Sequence, residues 1–139
     1  MKFYKTKTKK LLSKKYKEIY KESQTAYKKI VGKSKRRPYV RSAYFKKSKI
    51  FIGLFWSHLY EKVGWGDRDR KLKLFSCAIE LIENSRYDPE SKESPNKQSE
   101  ILHRFFGETP DNEKFCVQIK EDKRSGEKFF VSVFPYKDK

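Results

Sequence analysis

Cysteine is scarce in this chain, with two among 139 residues. Cys77 and Cys116 each lie in an apolar stretch, without a CxxC pair or a Cys/His cluster. That spacing excludes a disulfide scaffold and leaves a zinc site without ligands, so both read as buried free thiols of a reducing compartment. Long apolar runs are also missing. The longest, Ile50 to Trp56, is far short of the ~20 residues that a membrane helix needs. The N-terminus has Lys and Tyr where a secretory signal requires an apolar segment. A cytoplasmic protein without a membrane span is expected. No Walker motif, HExxH, phosphate-cradling glycine loop or nucleophile elbow occurs. The carboxylates are scattered among lysines rather than clustered for a metal, so neither metal nor cofactor is expected.

Acidic residues are almost missing from the first third. Residues 1–50 hold nineteen Lys and Arg against only Glu18 and Glu22, whereas the remainder carries equal numbers of each sign. The entire net charge of +17 therefore belongs to residues 1–50. Such asymmetry favours phosphate backbones and an affinity that falls steeply with salt. RNA is the expected partner, and DNA also fits. A solvated lysine face is the plainer explanation, but solubility alone does not require the charge in one segment. Eleven Phe and 16% aromatic residues indicate a modest, ring-rich core rather than disorder.

From Thr8 to Val31, Leu12, Tyr16, Ile19, Tyr20, Tyr27, Ile30 and Val31 recur at helical spacing, with Lys10, Lys14, Lys17, Lys21 and Lys28 between them. The pattern predicts a basic amphipathic helix ended by Gly32. A membrane-surface helix looks similar, but Tyr stands where Leu and Phe would dominate. Residues 1–37 are accordingly expected as a basic helical arm, whose deletion leaves a folded domain over 38–139. In that domain a short strand near Tyr39 to Phe45 precedes a helix through Trp56, His58 and Leu59. Gly64-Trp65-Gly66 turns into a second helix with Leu72, Phe75, Ala78, Ile79 and Ile82 on one face, capped by Asp67 or Asp69. Residues 88–99 read as a polar loop.

The last forty residues read as antiparallel strands over Glu100–Phe106, Phe115–Glu121 and Phe129–Pro135. Phe115, Val117 and Ile119 share one face, and Phe129, Val131 and Val133 share the facing one. Matching these sets needs a loop with an odd residue count, which Arg124-Ser125-Gly126 supplies. Gln118 then lies opposite Ser132, and Gln118, Lys120, Phe130, Ser132 and Phe134 form the non-core face, suited to RNA contact. The fold class is α+β, with N-terminal helices packed on a small C-terminal antiparallel sheet.

The inventory allows metal-free phosphodiester chemistry, in which an RNA 2′-OH is the nucleophile and His, Lys, Arg, Tyr and Ser suffice. Of the two histidines, His58 lies among rings in Phe55-Trp56-Ser57-His58-Leu59. His103 lies in Ile101-Leu102-His103-Arg104-Phe105-Phe106. Arg104 is preferred over His103 as a phosphate ligand, because a guanidinium fork matches phosphate bidentately. Lys10, Lys14, Lys17, Lys21, Lys28, Arg36, Arg37 and Arg41 are the candidate nucleic-acid contacts. Arg68 and Arg70 beside aspartates read more simply as surface pairs.

Phe55-Trp56-Ser57-His58-Leu59, the Arg68–Ile82 helix and the Lys114–Pro135 hairpin together resemble the barnase–EndoU–colicin–RelE-like (BECR) nucleases, especially small phage and mobile-element members. The resemblance spans about residues 50–136 and implies helices on a curved antiparallel sheet. It further implies a metal-independent endoribonuclease, often a toxin with an antitoxin or immunity protein as partner. It assigns acid–base work to His58 and the last-strand hydroxyl to Ser132, with Arg104 and Lys120 as phosphate-stabilising cations. A non-catalytic nucleic-acid-binding accessory protein is the alternative reading.

Overall fold

A computed structural model describes residues 2–11, 15–34, 36–59, 65–94 and 97–136, with backbone alone at 65–67. In chain order the elements are β1 (Tyr4–Lys5), α1 (Tyr16–Lys33), β2 (Tyr39–Arg41), β3 (Lys49–Phe51), α2 (Gly53–His58), α3 (Trp65–Asn84), β4 (Glu90–Ser94), β5 (Lys97–Glu108), β6 (Lys114–Asp122) and β7 (Lys128–Pro135). The class is α+β. The sheet, however, has seven strands in the order β1-β5-β6-β7-β3-β2, with β4 also paired to β5. It is mixed rather than antiparallel, because β1 runs parallel to β5 and β3 parallel to β7. The sheet is larger than expected because the N-terminal half supplies three short strands to its two sides. The expected 88–99 loop is largely strand: β4 pairs with β5 from Glu90↔Arg104 to Glu93↔Ile101. Its polar sequence, Glu-Ser-Lys-Glu-Ser, suits an edge strand that buries little and carries charge towards water.

The helices cover one side of the sheet. Helix α1 begins at Tyr16 rather than near Thr8 and runs past Gly32 to Lys33. Its inward stripe includes fully buried Ile19, and Ser23 Oγ donates to Leu72 O of α3 at 3.0 Å. Ahead of it the chain is extended. There the Glu80 carboxylate accepts from Tyr4 Oη at 2.9 Å, from Thr8 N at 2.8 Å and from Thr8 Oγ1 at 2.6 Å. Residues 1–37, expected as an arm, thus contribute a core side chain and an edge strand. Ile19, Phe55, Leu72, Phe75, Leu81, Phe115, Ile119, Phe130 and Val133 belong to one buried cluster between helices and sheet.

The β6–β7 hairpin departs from its expected register in an informative way. Asp122 N donates to Glu127 O at 2.9 Å, closing a loop over residues 123–126, and Gly126 takes φ 75°. That loop has an even count, so Ile119 faces Phe130 and Lys120 faces Phe129. Further on, Gln118 does face Ser132, because Val131 is an extra, bulged residue. A bulge lets one strand change which residues face the core. Phe130, expected on the open face, is therefore fully buried and stacks on Phe55 with centroids 4.6 Å apart. Phe129, expected inside, lies instead beside Phe51.

Candidate nucleic-acid interface

Strand alternation fixes which side chains lie on the sheet face away from the helices. Val40 and Ile50 pair in the core, so their neighbours Tyr39 and Phe51 pair on the other face. Phe51 in turn pairs with Phe129 in parallel register, and Phe129 with Lys120 in antiparallel register. The result is a row of half-buried rings across three strands. Tyr39 and Phe51 have centroids 6.3 Å apart, and Phe51 and Phe129 5.8 Å apart.

Each ring in the row carries a cation. Lys49 Nζ lies 4.7 Å from the Tyr39 centroid and Arg41 Cζ 5.5 Å from it. Arg37 Cζ sits 3.9 Å over Phe51, and Lys120 Nζ lies 5.4 Å from Phe129. Further along the same face, Arg104 Cζ lies 5.4 Å from Phe134. Cations over ring faces within about 6 Å are held there by the ring quadrupole. At the β2 end, a cleft of about 490 Å³ is lined by Lys33, Arg36, Arg37, Tyr39, Lys49 and Phe51, with no carboxylate among the described lining residues. One carboxylate stands near: Arg37 pairs with Glu127 at 2.5 Å. Glu100 similarly engages Lys120 at 3.4 Å.

The residues expected to carry catalysis divide between two sides of the sheet. Arg104 and Lys120 share the open face as diagonal neighbours on β5 and β6. Ser132 does not join them: Lys71 of α3 donates to its Oγ, so the hydroxyl turns towards the helices. His58 ends α2, half-buried, and α2 itself packs on β7 through Phe55 and Phe130. Of the expected nucleic-acid contacts, Lys17, Lys21 and Lys28 are exposed on α1, and Arg36 is exposed beyond it. Lys10 is paired with Glu113 at 2.6 Å. Arg37 and Arg41 flank the ring row, and Lys14 lies outside the described residues. Cys77 and Cys116 are both buried free thiols, each pushed up to about 11 by burial, which removes them as nucleophiles at neutral pH.

One constellation escaped sequence reading. On the helix side, His103 is 7% exposed and hydrogen-bonded at both ring nitrogens. Nδ1 lies 2.6 Å from Ser91 Oγ on β4, and Nε2 lies 2.7 Å from Glu121 Oε1 on β6. A carboxylate oxygen accepts, so Nε2–H is the natural donor to Glu121, and Nδ1 is left to pair with the Ser91 hydroxyl. Phe45 packs edge-on against the imidazole at 5.0 Å. The contacts span three strands, and no local motif signals them. The ring row was equally hidden, because Tyr39, Phe51 and Phe129 meet only through the sheet order.

Among the described residues no group of three His, Cys, Asp or Glu side chains is placed to hold a metal ion. Among them, too, no helix is long and apolar enough to cross a membrane. Comparison with protein-family models, curated proteins and solved structures finds no match to this chain.

Proposed function

We propose that the protein binds single-stranded nucleic acid, RNA foremost, on the sheet face that the helices leave open. The observation that carries this reading is the Tyr39–Phe51–Phe129 row, each ring with a Lys or Arg beside it. Unpaired bases present a π-face to such rings whatever their identity, while the adjacent cations meet phosphates. The net charge of +17 adds a long-range field that raises the encounter rate with a polyanion.

A second reading, a metal-independent endoribonuclease of the cytoplasm, draws support from the Ser91–His103–Glu121 chain. It supplies a hydrogen-bonded imidazole and carboxylate, group types that general acid–base chemistry uses, on a histidine that is 7% exposed. The succession of α2, α3 and the antiparallel β4–β7 ribbon also supports the resemblance to barnase-like and RelE-like toxins, with an antitoxin as partner. Sites assigned to His58, Arg104, Lys120 and Ser132 receive less support, because they lie on two sides of the sheet.

The deciding experiment titrates a labelled single-stranded RNA with the intact chain, Phe51→Ala/Phe129→Ala, His103→Ala and His58→Ala, in EDTA. Ring–base stacking contributes about 1–3 kcal/mol per base, so the double variant is expected to bind at least tenfold more weakly. Unchanged affinity in that variant sinks the interface. Cleavage by the intact chain that disappears in His103→Ala but persists in His58→Ala supports the second reading. Binding without cleavage removes it.

A further inference from the structure

The turn between β2 and β3 holds two consecutive lysines in a backbone conformation that lysine resists. Lys46 has φ 54° and Lys47 φ 65°. The left-handed region is unfavourable for a non-glycine residue, because Cβ crowds a carbonyl oxygen. The turn is pinned from several directions, so this geometry is not an idle excursion. Lys47 N donates to Ser42 O at 2.7 Å, and Ser42 N to Ser48 O at 3.0 Å. Arg41 Nη1 donates to Lys47 O at 2.9 Å, and Ala43 N to Ile82 O of α3 at 3.0 Å. Tyr44 and Phe45 anchor it on β5 through Phe105 and His103.

Glycine or asparagine would occupy both positions at lower cost. What lysine adds there is charge, and the surroundings show where that charge collects. A cleft of about 790 Å³ opens between this turn and the C-terminal end of α3, with Arg41, Lys46, Lys47 and Arg86 around it, Glu83 as the one acidic side chain among its described lining residues, and Asp88 beside the lining Tyr44. Among the described residues, the side chains of Lys46, Lys47 and Arg86 have no ion-pair or hydrogen-bond partner. The helix dipole favours a cation beyond the C-terminus of α3, which accounts for Arg86. It does not account for two strained lysines. Unpaired like charges around one cleft repel each other until an anion enters.

We propose that this cleft binds the phosphodiester backbone of the nucleic acid whose bases lie on the ring row. The inference rests on the proposed RNA-binding function and extends it around the sheet edge. Arg41 links the two regions, since its guanidinium lies by the Tyr39 ring and its side chain also borders the cleft. Strand β2 is the terminal strand of the sheet, so a chain passing over Tyr39 reaches the cleft by turning that edge.

The test compares Lys46→Gly/Lys47→Gly with a charge-matched control, Lys7→Gln/Lys29→Gln, at two exposed lysines outside the ring row and the cleft. Glycine accepts positive φ, so the turn retains its shape and the two variants differ only in where charge is lost. Binding of a labelled single-stranded RNA is measured across a salt series for the intact chain and both variants. The cleft variant is expected to bind about tenfold more weakly, with a log–log salt slope shallower by about 1.4, the value for two lost phosphate contacts on a single strand. The control is expected to change affinity by less than about threefold. Equal losses in both variants overturn the cleft and leave a diffuse field. Saturable binding of inorganic phosphate that the cleft variant loses, with RNA binding unchanged, overturns the backbone assignment in favour of a small phosphate. RNA binding that depends on Phe51 and Phe129 but not on Lys46 and Lys47 overturns this inference while the ring-row function stands. No RNA binding by the intact chain overturns both.

Discussion

At the scale of single residues, the tightest of the described glycines is Gly107 on β5. A Cβ there would lie 2.5 Å from Phe115 Cζ and 2.7 Å from Leu81 Cδ1. Both neighbours are fully packed core groups, one in the sheet and one on α3, so neither can retreat. Gly107→Ala is expected to cost about 1–3 kcal/mol through overpacking, read as a lowered thermal midpoint with unchanged secondary structure. Residue-scale identity was partly legible in the sequence. Buried Ile19, Phe75, Ile82, Val117 and Val133 followed from periodicity alone. Phe129 and Phe130 did not, because both are Phe: either can enter the core without violating any apolar pattern, and only the bulge at Val131 decides between them. His103 was passed over for Arg104, since a histidine in an apolar strand gives no sign of the serine and glutamate on its flanking strands.

At the scale of elements, one carboxylate reinforces the pairing that holds the N-terminal strand on β5. Burial pushes the Glu80 carboxyl up, but hydrogen bonds from Thr8, the Lys7 backbone and Tyr4 outweigh it and hold the group below its ordinary value. Its contribution is therefore present above the unfolded carboxylate pKa and is lost as pH falls through the lower folded value. Glu80→Gln is expected to remove about 1–2 kcal/mol at neutral pH and to flatten the acid side of the stability–pH profile, followed by chemical denaturation at several pH values. An unchanged acid limb would show that the β1 region is not held through Glu80. The long helices and the existence of the last hairpin were readable because period and a turn glycine are local signals, whereas the hairpin's loop count and register were not. Strands β1 and β4 were not: two residues carry no period, and Glu-Ser-Lys-Glu-Ser on an edge resembles a loop until its partner is known.

At the scale of the whole molecule, charge and structure do not divide where the sequence suggested. Residues 1–50 carry all of the net charge, yet they also supply Ile19 to the core and β1, β2 and β3 to the sheet. Removing residues 1–37 would uncover the α3 surface on which α1 packs and take away one edge strand. The truncated chain is expected to lose cooperative thermal unfolding, as followed by circular dichroism. A sharp transition in that truncation would restore the independent arm. The α+β class was legible from the order of patterns, whereas the parallel pairings were not, because they join segments far apart in the chain.

Those parallel pairings also order events in time. Strand β1 needs Gly107 and Glu108 as partners, and β3 needs Lys128 and Phe129. In chain order the basic segment therefore precedes the strands it pairs with, and it emerges before there is a sheet for it to join. The antiparallel ribbon from β4 to β7 is built from local contacts and can close as soon as it emerges. The two ends of the basic segment then dock onto opposite flanks of that ribbon, so strands later in the chain act as template for earlier ones.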